Sequence, residues 1–84
     1  MTWRVLSSPA CQPDFRAASL EQGSDLLDEL FTWVEDGPPR TTPWPVGDVV
    51  IYDEPLSCGY TVSYFVDDAA RYVGVIRLRR TRSA

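Results

Sequence analysis

The hydrophobic positions of this chain follow two spacings, which predict first an amphipathic helix and then a set of strands. Across residues 25–36 the apolar side chains recur every three or four positions, at Leu26, Leu27, Leu30, Phe31 and Val34. This spacing places them on one side of a helix, and Trp33 falls at the edge of the stripe. Ser24 is suited to cap the helix, and Gly37 with Pro38 ends it. We expect the stripe to face the core.

Beyond residue 47 the apolar and polar positions alternate, which is typical of strands. Three such runs span residues 48–54, 59–68 and 71–80, and short turns separate them. Short connections favour an antiparallel meander, because a parallel return needs a long crossover. In the middle run one face is shared by Tyr60, Val62, Tyr64 and Val66. In the last run strict alternation predicts two opposite faces. One carries Tyr72, Gly74, Ile76 and Leu78, and the other carries Val73, Val75, Arg77 and Arg79. We expect Arg77 and Arg79 on a partly exposed face.

The N-terminal segment predicts one strand and one imperfect helix. Residues 2–7 alternate as a strand with one face made by Trp3, Val5 and Ser7. After it, Ser8 is suited as an N-cap and Pro9 as a first helical residue. Because Pro13 lacks the backbone N–H that a helix interior needs, we expect this helix to be short and irregular.

Residues 37–47 contain four of the seven prolines, so they can form neither a helix nor a central strand. We expect a rigid connector with Trp44 packed on the core.

The 84 residues suffice for one small domain, residues 1–84. The predicted fold class is α+β: an N-terminal strand, one or two helices, and a three-stranded antiparallel meander forming one small sheet packed on the helices.

The residue inventory excludes several chemistries. With no histidine and no lysine, the chain has no imidazole base, no Schiff-base lysine and no phosphate-loop lysine. Cys11 and Cys58 are too few for a zinc site, and we expect reduced thiols. Asp25, Asp28 and Glu29 have a spacing that could share a divalent cation, but a solvated helix face is the favoured interpretation. We therefore expect no cofactor and no metal.

No secretion signal and no run of about 20 apolar residues is present, which favours a cytoplasmic location and no membrane partner. Aromatic residues at Tyr60, Tyr64 and Tyr72 could stack on bases, although cross-strand packing is the favoured interpretation. Asp67 and Asp68 are interpreted as turn formers between two strands.

Charge is distributed unevenly. Five of the eight arginines lie after residue 70, at Arg71, Arg77, Arg79, Arg80 and Arg82. Residues 1–70 hold three arginines and twelve acids, a net charge of −9. The arginines predict a site for phosphate or carboxylate, with an acidic protein, the chain's own acidic helix or a merely solubilising end as the alternatives.

The order of elements, and above all the segment GYTVSYFVDDAARYVGVIRLRR, resembles the RelE/ParE superfamily of bacterial type II toxins. In that family a tyrosine-rich strand, an acidic turn and a Val/Ile strand end at basic residues. For RelE-like members the resemblance implies metal-free cleavage of mRNA on the ribosome. For ParE-like members it implies binding to DNA gyrase. Either kind is held inactive by an antitoxin segment wrapped over it.

The chain departs from the nuclease pattern at two places. Thr61 stands where the family commonly has a basic residue, and the residues after Arg80 include no tyrosine. Only Arg77, Arg79 and Arg80 match the basic end of the last strand, and they are the candidate catalytic residues of a nuclease. An acidic body also repels RNA.

The favoured hypothesis is therefore a RelE/ParE-like protein that acts through protein binding, either a gyrase-type toxin or a nuclease-inactive member. Its partner is an antitoxin-like segment or a target protein, and nucleic acid can bind only through the C-terminal arginines. The alternatives are a ribosome-dependent, metal-free mRNA endonuclease and a stand-alone interaction module.

Overall fold

A computed structural model describes residues 2–22 and 25–80. Its elements, in chain order, are β1 (Arg4–Ser7), a 3-10 turn (Pro9–Cys11), α1 (Gln12–Gln22), α2 (Asp25–Asp36), β2 (Pro43–Val46), β3 (Val49–Pro55), β4 (Tyr60–Asp67) and β5 (Tyr72–Arg80). No helix in the described part of the chain is long and apolar enough to cross a bilayer.

The five strands form one mixed sheet in the order β1-β5-β4-β3-β2. The expected antiparallel meander is confirmed as β3, β4 and β5, but a sheet of three strands is an underestimate. β1 joins it in parallel to β5, with Arg4 beside Tyr72 and Ser7 beside Val75. The connection from β1 to β5 contains both helices and the other three strands, so it is long enough for a parallel neighbour. By this pairing β1 satisfies backbone groups of β5 that would otherwise be unpaired.

The second unexpected strand, β2, arises within the proline-rich connector. Asp53 donates its backbone N–H to Thr42 O at 3.1 Å, so Thr42 and Trp44 direct their backbone groups toward β3. Pro43 and Pro45 then face the free edge, where no N–H is needed. The expectation that Trp44 packs on the core is wrong, because an edge strand leaves its side chain 42% exposed.

Helix α2 has the expected bounds, but its buried face is rotated. Leu26, Leu30 and Trp33 are buried, whereas Leu27 and Phe31 are 42% and 61% exposed. The reason is packing on an aromatic partner, since the Trp33 ring lies 4.7 Å from that of buried Tyr64, centroid to centroid.

Gly37 ends α2 as expected. Its φ of +90° suits glycine, and its N–H donates to Trp33 O at 2.8 Å. The proposed cap Ser24 lies outside the described residues.

Helix α1 is longer and more regular than Pro13 led us to expect. Pro13 lies in the first turn, where a backbone N–H has no helical partner, so it costs the helix nothing. Ser8 precedes the 3-10 turn and makes no side-chain cap hydrogen bond. Cys11 is buried at the end of that turn, and Cys11 and Cys58 are both free thiols.

The core lies between the helices and one face of the sheet. Tyr60, Val62 and Tyr64 of β4 are buried there as expected. Strict alternation fails in β5, because Tyr64 pairs with Val75 while Ser63 pairs with Arg77, which leaves Ile76 as an extra residue. This bulge puts Leu78 on the core face beside Val73 and Val75. Arg77 and Arg79 lie on the other face, paired with Ser63 and Thr61 of β4. They are therefore not on the face that carries the valines.

Candidate interaction surface

The structure divides the predicted arginine site into separate places. Arg77 and Arg79 lie on the face of the sheet that turns away from the helices, here called the open face, together with Asp53, Thr61, Ser63 and Phe65. Arg80 lies on the helix side, since it pairs with Tyr60. Arg71 precedes β5 and so lies at the opposite end of that strand. Arg82 is outside the described residues.

A polar cluster occupies the middle of the open face. Ser63, only 3% exposed, donates its hydroxyl to Asp53 Oδ1. Arg79 Nη1 lies 3.5 Å from Ser63 Oγ, and Arg79 Nη2 lies 4.0 Å from Asp53 Oδ2. Thr61, also buried, stands opposite Arg79 in the register. The Asp53 carboxylate therefore offsets part of the charge of Arg79.

Arg77 supplies the outward charge of this surface. It is exposed and stands opposite Ser63. Within residues 2–22 and 25–80 no ion pair involves its guanidinium. A single guanidinium beside an Asp–Ser–Arg cluster can bind a carboxylate or a phosphate oxygen.

Arg80 is bound to another part of the same chain, at the end of α1 and not on the acidic helix α2. Its guanidinium forms an ion pair with Glu21 at the end of α1 and lies 5.4 Å from the Tyr60 ring centroid. Tyr60 donates its hydroxyl to Glu21 at 3.1 Å. The ion pair raises the pKa of Arg80, while burial and then the hydrogen bond to Glu21 raise the pKa of Tyr60. These contacts fix α1 to the end of β5.

Arg71 belongs to a different contact set, at the turn between β4 and β5. Its guanidinium lies 5.8 Å from the Trp3 ring centroid, and that of Arg40 lies at the same distance. Arg40 also forms an ion pair with Asp68, which lowers the pKa of that carboxyl. Both arginines have positive φ, 55° for Arg40 and 50° for Arg71, a conformation that the surrounding contacts must hold.

The tyrosines mainly pack within the fold, which is the interpretation that the sequence analysis favoured over base stacking. Tyr64 is fully buried, and burial raises its pKa to about 12. Its hydroxyl accepts the backbone N–H of Arg40 at 2.9 Å. Tyr72 meets the Phe65 ring edge-on, with centroids 5.7 Å apart. Of the three tyrosines that the sequence singled out, Tyr72 lies on the open face, beside Phe65.

The acidic residues also have structural partners. Asp67 Oδ1 accepts the N–H of Ala70 at 3.1 Å, which confirms a turn-forming role. Glu29 accepts the N–H of Ser57 at 3.1 Å and so links α2 to the β3–β4 turn. The carboxylates of Asp25 and Asp28 remain on the exposed part of the helix.

An apolar groove of about 300 Å³ lies on the other side of the molecule, between the helices and β1. Its lining is almost entirely hydrophobic: Val5, Phe15, Leu27, Leu30, Phe31 and Val34. The two side chains that the rotation of α2 leaves exposed, Leu27 and Phe31, are part of it. The groove is therefore open to a partner.

The sequence matches no protein-family model and no curated protein. Solved structures nevertheless share the fold. A chain of the archaeal RelE–RelB complex from Pyrococcus horikoshii OT3 aligns over 100% of both chains, with TM-score 0.74 and 18% identity. The isolated E. coli RelE toxin aligns over 98% of this chain and 87% of that one, with TM-score 0.72 and 21% identity. A free E. coli RelE variant with two arginines changed to alanine aligns over 95% and 84%, with TM-score 0.69 and 22% identity.

These similarities define the class of fold: a small α+β domain with the architecture of the RelE structures. The similar solved structures within it are RelE toxins, one of them in complex with RelB. The resemblance inferred from the hairpin segment is thus confirmed at the level of the fold.

Sequence reasoning missed the contacts that modify the arginines. In the sequence, Glu21 and Asp53 contributed only to the net negative charge of residues 1–70. In the structure, each of their carboxylates pairs with an arginine. For Asp53 a signal existed, because alternation in β3 places it on the face opposite Tyr52. For Glu21 none existed, because its partner depends on how α1 packs against the sheet.

Proposed function

We propose that this chain is a RelE/ParE-like toxin-family protein that acts by binding other proteins, either as a gyrase-type toxin or as a member without nuclease activity. The observation that carries this proposal is the position of Asp53. Its carboxylate lies beside Arg79 and accepts the Ser63 hydroxyl, on the same face as Arg77. A fixed negative charge there disfavours an RNA backbone more than a protein carboxylate, because RNA presents a closely spaced row of phosphates.

The wider charge distribution supports the same preference. The first 70 residues carry a net charge of −9, and Arg80 is already paired with Glu21. Within a Debye length of about 8 Å at physiological salt, such a surface repels polyanions. The open-face arginines therefore act as a local contact for an acidic segment of a partner protein.

We assign the apolar groove to a second contact, with an antitoxin-like segment. One of the similar structures is a RelE–RelB complex, which supports a protein partner of this type. Leu27 and Phe31 expose large apolar surface beside the groove, and covering such surface is the usual source of stable association. An amphipathic segment with apolar side chains at helical spacing suits this lining.

A ribosome-dependent, metal-free mRNA endonuclease remains the second candidate. Two of the similar structures are E. coli RelE, and Arg77 is an exposed guanidinium on the open face. In this hypothesis Arg77 and Arg79 would hold the phosphate and stabilise its developing charge. Arg80 would have to leave Glu21 to join them.

A cleavage assay on translating ribosomes separates the two candidates. We expect no site-specific mRNA cuts by the unmodified protein. Site-specific cuts that disappear in Arg79→Ala and persist in Arg16→Ala would place the nuclease first. Arg16 is a suitable control because it is an exposed arginine on α1, away from the open face. Asp53→Asn serves as a second test, since removing the carboxylate should raise non-specific RNA affinity if the charge argument holds.

A binding assay tests the proposed protein contact directly. We expect a labelled peptide with alternating acidic and apolar residues to bind the unmodified protein, and the double substitution Arg77→Ala, Arg79→Ala to weaken it by about tenfold. The difference should shrink at high salt. An equal loss in Arg16→Ala would mean that only the overall charge matters and would refute a site on the open face.

A further inference from the structure

The sheet divides between two of its central strands. Pairing of β3 with β4 runs from Pro55 opposite Thr61 to Tyr52 opposite Tyr64 and ends there. Beyond that point β3 continues to pair with β2, through Val49 opposite Val46, while β4 continues with β5, through Asp67 opposite Tyr72. A cleft of about 480 Å³ lies between the two diverging hairpins.

The walls of this cleft present backbone as well as side chains. Because Asp53 directs its N–H to β2, the alternation of an antiparallel strand directs the backbone of Tyr52 and Val50 toward β4. Tyr64 pairs with Tyr52 of the adjacent strand and therefore directs its backbone groups toward β3. Val66 is two residues further along β4, so the same alternation directs its backbone groups toward β3 as well. Val50 and Val66 would form the next pair, but the strands separate before they meet. Their N–H and C=O groups therefore border the cleft.

The side chains around the cleft are apolar with an acidic margin. Val49 and Val50 are 48% and 43% exposed, and Phe65 and Val66 form the opposite wall. Asp48 and Asp67 are exposed at its margin.

A third carboxylate at the margin, that of Asp68, is neutralised by its ion pair with Arg40. Arg71 also stands near Asp68 and contributes to its lowered pKa. The carboxylates of Asp48 and Asp67 therefore carry the negative charge of the margin.

We propose that this cleft is a docking site for an extended basic segment of a partner protein, which adds as a strand between β3 and β4. The backbone groups of Val50 and Val66 supply hydrogen bonds, the valines receive alternate apolar side chains, and Asp48 with Asp67 receives lysine or arginine. This site goes beyond the proposed function, because it selects the opposite charge from the open-face arginines and lies at the other end of β5 from Arg79.

The test uses the whole protein and a synthetic peptide of about eight residues that alternates valine and arginine. We expect saturable binding by fluorescence anisotropy. Substitution Val49→Lys should weaken it by about tenfold, because it puts a positive charge in the wall of the cleft. The matched control is Val46→Lys, a change of the same type at a residue that pairs with Val49, is 49% exposed and does not line the cleft. It should leave the affinity unchanged.

Backbone pairing is tested with a peptide of the same sequence that is N-methylated at alternate residues. We expect this peptide to lose binding, and Asp48→Asn with Asp67→Asn to weaken the unmethylated peptide. Arg77→Ala should have no effect, which separates this site from the open face. Equal losses in Val49→Lys and Val46→Lys, or full binding of the methylated peptide, would refute the proposal. So would a dimer in sedimentation that Val49→Lys dissociates, because the cleft would then hold a second copy of this chain.

Discussion

At the scale of single residues, Gly74 illustrates how a backbone position determines a side-chain contact. The Phe65 ring crosses over Gly74, and a Cβ added there would lie 2.3 Å from two ring atoms. Gly74→Ala should therefore displace Phe65 from its edge-on contact with Tyr72 and lower the free energy of unfolding by about 1–3 kcal/mol. Urea denaturation measures this difference.

The matched comparison for Gly74 is the double variant with Phe65→Ala, which removes the ring that the new methyl group would meet. We expect Gly74→Ala to cost little in that background. An equal cost with and without the Phe65 ring would contradict the steric explanation.

A second residue-scale prediction concerns Tyr64 and alkaline pH. Burial raises its pKa to about 12, against about 10 in an unfolded chain. The folded state therefore keeps the proton between these values while the unfolded state loses it. Stability is fully present below about pH 10 and falls toward pH 12, by up to about 1.4 kcal/mol per pH unit.

Denaturation curves at several alkaline pH values check this slope. Lysine is absent from the chain, so no ammonium side chain contributes to the slope in this range. Tyr64→Phe should be less stable at neutral pH, because Arg40 loses its hydrogen-bond acceptor, but its stability should fall less steeply. The same slope in both proteins would show that Tyr64 does not cause the effect.

At the scale of elements, helix α2 distinguishes apolar periodicity from actual burial. Leu26 is fully buried, whereas Phe31 is 61% exposed. Leu26→Ala should lower the free energy of unfolding by about 2–5 kcal/mol, while Phe31→Ala should cost well under half of that. Thermal and chemical denaturation of the two variants give the comparison. A larger loss for Phe31→Ala would mean that the leucine stripe faces the core after all, as periodicity alone predicted.

The same helix shows why part of the fold could be predicted. Its bounds follow from the apolar spacing and from Gly37, which are local signals. Which side is buried depends on Trp33 meeting Tyr64, a contact between residues far apart in the chain. The bulge at Ile76 is similar, because only the pairing with β4 reveals that β5 contains an extra residue. Local patterns therefore predict elements better than they predict faces.

At the scale of the whole molecule, the sequence indicated the fold and the uneven charge, but not how the arginines are divided. Arg77 and Arg79 were placed on an exposed face, as the structure has them. Arg80 was expected beside them and instead binds Glu21. Charge counts along a chain cannot predict such pairs, because the register and the packing of α1 decide which acid meets which arginine. The candidate site could therefore be predicted as a region but not as a set of contacts.

The parallel contact between β1 and β5 has a consequence for how this molecule acquires its structure. The first strand, Arg4–Ser7, finds its partner in Tyr72–Val75, so the sheet cannot be completed until residues 72–75 have been synthesised. Pairs this distant in sequence must close a long loop before they form, and such long-range pairing slows folding. The helices and the β2–β3 hairpin can form early, but their apolar surfaces stay uncovered while β5 is still inside the ribosome. A nascent chain in that state is most exposed to aggregation, and any partner that covers those surfaces during translation would speed its maturation.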